Sequence, residues 1–164
     1  MKYTLDLQHA ENQKQANHKF LKRLKEGRPP DLDSQFHRLH HEAFASIDCL
    51  ECANCCKTTS PIFLESDISR LARSLKTTVS EFINTYLTRD GEGDYVLKAA
   101  PCPFLGLGNR CLVYEKRPKA CREYPHTNRK RMYQITQLTF KNSMVCPAVS
   151  RIVAKLRSVF PTTH

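Results

Sequence analysis

The stretch DCLECANCCK, residues 48–57, constrains this chain more than any other. Four of the eight cysteines, Cys49, Cys52, Cys55 and Cys56, fall within it. On an ideal helix the four would share about 120° of arc, yet Cys49 and Cys56 would stand about 10 Å apart along the axis. Thiolates bound to one zinc ion lie roughly 3.8 Å from each other, given a Zn–S bond of about 2.3 Å. A straight helix therefore cannot offer all four sulfurs to one mononuclear ion. A looped chain can offer Cys49, Cys52 and Cys55 to one centre. The adjacent pair Cys55–Cys56 adds a second constraint, because neighbouring side chains diverge in both helix and strand. That pair suits two neighbouring sites or one polynuclear centre.

Cys102, Cys111, Cys121 and Cys146 follow downstream. Two centres of four thiolates use all eight cysteines. The expected partition gives three clustered cysteines and one remote cysteine to one centre, and joins the last clustered cysteine to the other remote ones. Three alternatives compete: cysteines as small buried hydrophobes, disulfides, and a metal that only holds the fold together. Burial does not explain C-x-x-C-x-x-C-C. The polar opening MKYTLDLQHAENQKQANHKFLKRLKEG has no apolar signal region. No run approaches the roughly 18 apolar residues of a membrane span. The expected location is cytoplasmic, where thiols stay reduced and cysteine clusters read as metal ligands. With 40% hydrophobic residues and no Trp, the core is lean and gains from a metal staple. Zinc and iron both stay open. The contiguous C-x-x-C-x-x-C resembles an iron–sulfur loop, but the ferredoxin continuation x-x-x-C-P is absent after Cys55; structural four-cysteine sites are commonly zinc.

The net charge of +10 is uneven. Residues 1–115 hold 15 basic and 15 acidic residues, whereas residues 116–164 hold 11 basic residues and one acid, Glu123. Such a segment can attract an acidic protein or nucleic acid. It can also offset metal centres: two four-thiolate sites, each carrying about −2, bring the total to roughly +6. No helix-turn-helix, zinc-finger helix or aromatic RNA-binding pattern accompanies the charge.

Periodicity predicts a polar helix over 8–26, ended by Gly27 and Pro29–Pro30, and a second over 34–47, capped by Asp31 or Asp33, with Phe36, Leu39, Ala43, Phe44 and Ile47 as its stripe. Ser66 is expected to cap a helix carrying Ile68, Leu71, Ala72 and Leu75. Thr78 and Glu81 form a capping-box pattern for the next, with Val79, Phe82, Ile83 and Tyr86 on one side. A Gly-rich turn, RDGEGD, precedes a short strand, YVLKA. Residues 101–126 read as irregular, turn-rich knuckles, and residues 131–140 are β-prone. Pro147 opens a last helix with Val149, Ile152, Val153, Leu156 and Phe160 facing inward. The expected fold is mainly α with a short β-hairpin, a small α+β domain stapled by metal. A helical arm (1–30) precedes a cysteine-cluster domain (31–164).

The pieces CLECANCC, CPFLGLGNRCLVYEKRPKACREYP and a late CP occur in one order over about residues 49–150. This resembles the YkgJ-like C-x-x-C-x-x-C-C cysteine-cluster family, a zinc- or iron-chelating domain. The resemblance implies that Cys49, Cys52, Cys55, Cys56, Cys102, Cys111, Cys121 and Cys146 are metal ligands. A related cysteine-cluster region occurs in flagellin lysine methylases, which adds an enzymatic possibility by analogy.

Arg117 and Arg122 flank Cys121 and can donate N–H groups to thiolate sulfur, or stand as ordinary surface arginines. Tyr114, Tyr124, Pro118 and Pro125 shape the knuckles. His126, five residues past Cys121, is an alternative ligand. His37, His40 and His41 form H-x-x-H-H, read as structural in preference to chelating. Neither G-x-G-x-x-G nor a P-loop is present, and no catalytic residue stands out. The function expected is metal binding by eight thiolates in two four-cysteine centres or one polynuclear centre. The alternatives are an iron–sulfur redox or protein-modifying enzyme, and a zinc-stabilised interaction module with a basic surface.

Overall fold

The computed structural model describes residues 2–161. The chain runs through α1 (Thr4–Asn12), α2 (Lys14–Gly27), α3 (Leu32–Phe44) and the single-turn α4 (Cys49–Cys52). It continues through α5 (Asn54–Thr58), α6 (Glu65–Ser74), α7 (Val79–Tyr86), β1 (Leu87–Arg89), β2 (Tyr95–Leu97) and α8 (Lys119–Glu123). It ends in α9 (Thr136–Ser143) and α10 (Pro147–Val159). Mostly helical with one antiparallel two-stranded hairpin, this is the small α+β architecture expected. Two compact units are formed: one by the chain up to Cys52 together with the chain from Pro125, the other by Ala53–Tyr124. Among the described residues, no helix is long and apolar enough to cross a membrane.

The first unit is helical. Leu32, Phe36, Leu39 and Ala43 recur at helical spacing along α3 and are buried. They face α10, whose Val149, Ile152, Val153 and Leu156 are fully buried. Each such side chain contributes about 1.5–3 kcal/mol. Pro147 opens α10 as expected, and Phe160 is half-buried at its end. The single helix expected over 8–26 is two helices, interrupted at Gln13 (φ −100°, ψ 11°). This lets α1 pack on α10 while α2 packs on α9. α3 starts earlier than expected, at Leu32, with Asp31 at its N-cap but no side-chain cap bond. Asp33 does not cap the helix but reaches across to a distant segment, where its carboxylate accepts the backbone N–H groups of Arg131 (2.7 Å) and Met132 (2.8 Å). These bonds hold the β-prone segment as a 3-10 turn (Met132–Ile135) that runs into α9. Tertiary anchoring overrides local propensity there.

In the second unit, Phe63, Ile68, Leu71, Ala72, Phe82, Leu87, Leu97, Phe104 and Val113 form the core. Phe82 stacks on Phe104 at 6.1 Å. The capping box at Thr78 forms as expected: the Glu81 N–H donates to Thr78 Oγ1 (3.1 Å) and the Thr78 N–H to the Glu81 carboxylate (2.9 Å). Val79 departs from the expected apolar side and is 44% exposed. α6 begins one residue before Ser66, because Asp67 accepts the N–H of Leu64 (3.1 Å), which stands at the N-cap. Asp90 closes the hairpin turn by accepting the N–H groups of Glu92 and Asp94.

Candidate metal centre

The cysteine cluster is not one helix. α4 ends at Cys52, Ala53 takes a left-handed conformation (φ 46°), and α5 starts at Asn54. A non-glycine residue pays roughly 1–2 kcal/mol for that geometry. The break puts Cys49 and Cys52 on one short helix and Cys55 and Cys56 on another.

Within the second unit the chain brings Cys56, Cys102, Cys111 and Cys121 into each other's fields. The Cys102 N–H donates to the carbonyl of Cys56 (2.8 Å), tying two of the segments by backbone. Residues 102–111 turn back on themselves. Leu105 pairs with Cys111, the Gly106 N–H reaches the carbonyl of Arg110 (2.7 Å), and the Leu112 N–H reaches that of Phe104 (2.8 Å). A Cβ at Gly106 would sit 2.7 Å from Leu112 Cδ2, so the exposed Leu112 side chain would have to move aside for it. Cys102 and Cys111 pack against the core, and α8 carries Cys121, also half-buried.

The electrostatics follow from this placement. Burial pushes the Cys121 thiol up to about 12, and negative charge on Cys56, Cys102 and Cys111 adds to the shift. Burial likewise raises Cys102 and Cys111, and a charged Cys56 adds to both. Cys56 is the exception: a hydrogen bond from the Cys55 thiol, helped by the Lys57 charge, brings it down to about 7 against the opposing effect of burial. Backbone N–H groups also serve these sulfurs, Phe104 and Leu105 at Cys102 and Val113 at Cys111. Amides two and three residues past a cysteine favour its charged form.

The first unit groups Cys49, Cys52 and Cys146. Cys146 is the N-cap residue of α10, and its sulfur accepts from the N–H groups of Ala148 and Val149. Burial nevertheless raises its thiol to about 11, and the charges of Cys49 and Cys52 act in the same direction. Cys52 is buried and Cys49 exposed.

None of the eight cysteines is joined in a disulfide. Among the described residues, no set of three or more His, Cys, Asp or Glu groups is arranged so as to hold an ion as it stands. The mutual fields of the thiols mark neighbourhoods, which is a weaker statement than coordination. The donor chemistry nonetheless fits a thiophilic cation. Several half-buried thiols oppose one another's ionisation, and N–H groups directed at sulfur offset negative charge.

The flanking residues separate. Arg117 lays its guanidinium on the Tyr114 ring, 3.5 Å from the centroid, and its charge favours the thiolates of Cys111 and Cys121. Arg122 donates to the backbone carbonyl of Arg117 instead. His37 meets the carbonyl of Arg129 (2.9 Å), and His40 meets the hydroxyl of buried Thr127 (2.8 Å). Burial, with the charges of His41 and His37, lowers the His40 pKa. His126 belongs to the first unit and adopts a left-handed φ of 65°.

Sequence reasoning missed Asp67 and Arg70. Asp67 is 1% exposed; it bonds Arg70 (2.6 Å) and accepts the N–H of Lys119 (3.2 Å) at the start of α8. Arg70 also donates to the carbonyls of Lys116 (3.4 Å) and Arg117 (2.9 Å). The pair thus fixes the segment that leads into Cys121. Its only sequence signal is an i,i+3 acid–base pair on an amphipathic helix, a pattern common on solvated faces.

Comparison with curated proteins and with solved structures gives no match. A family model does match, over residues 48–146, under the description "CxxCxxCC: Putative zinc- or iron-chelating domain". That span runs from the residue before Cys49 to Cys146 and covers more than half of the chain. The chain belongs to this CxxCxxCC family of zinc- or iron-chelating domains, in which the YkgJ-like proteins are included.

Proposed function

We propose that the protein binds zinc or iron through its cysteine thiolates, divided between two centres. One centre takes Cys56, Cys102, Cys111 and Cys121, and the other is built on Cys49, Cys52 and Cys146. The observation that carries this is the company Cys56 keeps: one clustered cysteine acts on the ionisation of three remote ones. Those four cysteines come from segments that are separate in sequence, and a chain has little reason to converge four thiols unless a cation relieves their repulsion. The amides directed at Cys102, Cys111 and Cys146 support the same reading, since donors aimed at sulfur stabilise bound thiolates. When bound, the metal supplies a multivalent crosslink between segments; the chain's own residues gather the sulfurs, offset their charge and limit water.

Paired substitution tests the division. C102S/C121S should remove the metal of one centre and leave that of the other, and C49S/C146S should do the reverse, read as metal per chain after anaerobic isolation. If either pair leaves the metal content at the wild-type value, or if either pair empties the protein of metal while it stays folded, the two-centre division is wrong.

A further inference from the structure

Among the described residues, the Nε–H of Arg117 is buried and has no hydrogen-bond partner. A buried donor is costly to leave unmade, and more so when it is charged. Both the side chain and the backbone of the residue are engaged. Its guanidinium rests on Tyr114 at 3.5 Å. Its carbonyl is held by Arg70 (2.9 Å) and Arg122, and Arg70 is itself fixed by buried Asp67 (2.6 Å). Chain position places it between two of the thiols, six residues after Cys111 and four before Cys121. Arg122, adjacent to Cys121 in sequence, is committed to a backbone carbonyl.

We propose that Arg117 is a positioning residue that carries the counter-charge of the Cys56–Cys102–Cys111–Cys121 centre, its Nε–H donating to a ligand sulfur. This rests on reading those four thiols as a metal centre. Four thiolates around a divalent cation carry about −2. The Arg117 charge acts on Cys111 and Cys121 and offsets part of that charge, and a donor fixed in advance loses little freedom on bonding sulfur. No bond is made or broken beyond the hydrogen bond itself.

The test uses zinc(II), added anaerobically to the demetallated full-length chain in competition with a chromophoric chelator. R117Q should weaken one class of zinc site by about tenfold or more and leave the other class unchanged. R117K should recover part of the loss. K116Q removes the same charge from an exposed neighbouring side chain and should match wild type. Cobalt(II) gives a second readout. Loss of the hydrogen bond raises the sulfur lone pair, so the sulfur-to-metal charge-transfer band of R117Q should move to longer wavelength and that of K116Q should not. Wild-type protein that takes up no zinc would overturn the metal-centre reading and this one with it. Normal zinc uptake by wild type, with R117Q equal to K116Q in affinity and spectrum, would overturn the role of Arg117 alone. If R117Q does not fold, folded R117K decides: a cobalt band displaced from wild type supports the role, and an undisplaced band overturns it.

Discussion

At the scale of single residues, the thiols differ in ways their spacing does not disclose. Cys56 is brought down to about 7 by the Cys55 thiol and Lys57, while burial lifts Cys121 to about 12 and Cys146 to about 11. Thiolate is the reactive form. In demetallated, reduced protein at neutral pH, a limiting dose of iodoacetamide should therefore label Cys56 before Cys121 and Cys146, as read by peptide mass spectrometry; prior labelling of Cys121 would contradict the local electrostatics. The same shifts set a pH profile. The raised thiols of Cys121 and Cys146 contribute stability that is fully present below the ordinary thiol value of 9.0 and is lost as pH rises through about 11 and 12. The lowered thiol of Cys56 contributes stability that is present above 9.0 and is lost as pH falls through about 7. Of these, the raised pair dominates at alkaline pH. The urea midpoint of the demetallated, reduced chain should fall steadily above pH 9, and a midpoint that rises there would refute the assignment. The candidate ligands were legible in the sequence because cysteine spacing is a strong pattern. The difference between Arg117 and Arg122 was not, because it depends on which carbonyl and which ring each guanidinium meets.

At the scale of elements, the helices that read clearly are those with a hydrophobic stripe and a local start signal. Thr78 and Glu81 announced α7, and Pro147 announced α10. T78A should cost about 1 kcal/mol in urea unfolding. The break at Gln13 and the helical state of residues 132–143 were not legible, since each is imposed by packing or by the distant carboxylate of Asp33. Asp67 and Arg70 belong here too, because their effect is to join α6 to α8. Asp67 is buried while Arg70 reaches solvent, so D67N, which weakens charge-assisted hydrogen bonds at a buried acceptor, should destabilise the protein by about 1–3 kcal/mol. It should also weaken metal retention, because the segment leading into Cys121 loses its hold. A D67N protein with wild-type stability would show that the pair does not brace the knuckle.

For the whole molecule, the division of cysteines matters more than their number. The second unit has a core of nine buried residues and irregular knuckles between them. Its knuckle amides at Cys102, Leu112 and Tyr114 depend on segments that a metal would bind together. On chelator treatment their hydrogen exchange should accelerate more than that of α10, whose Ile152, Val153 and Leu156 are fully buried. Mainly α architecture with one hairpin could be read from periodicity. The two-unit organisation could not, because the first unit joins the start of the chain to its end, and such long-range closure leaves no local pattern. The decisive measurement is metal per chain, by elemental analysis of protein isolated without oxygen, with its absorption spectrum. The account predicts about two zinc ions per chain, or iron with sulfide and a band near roughly 400 nm. Protein that holds neither metal, and keeps its fold in chelator, would contradict it.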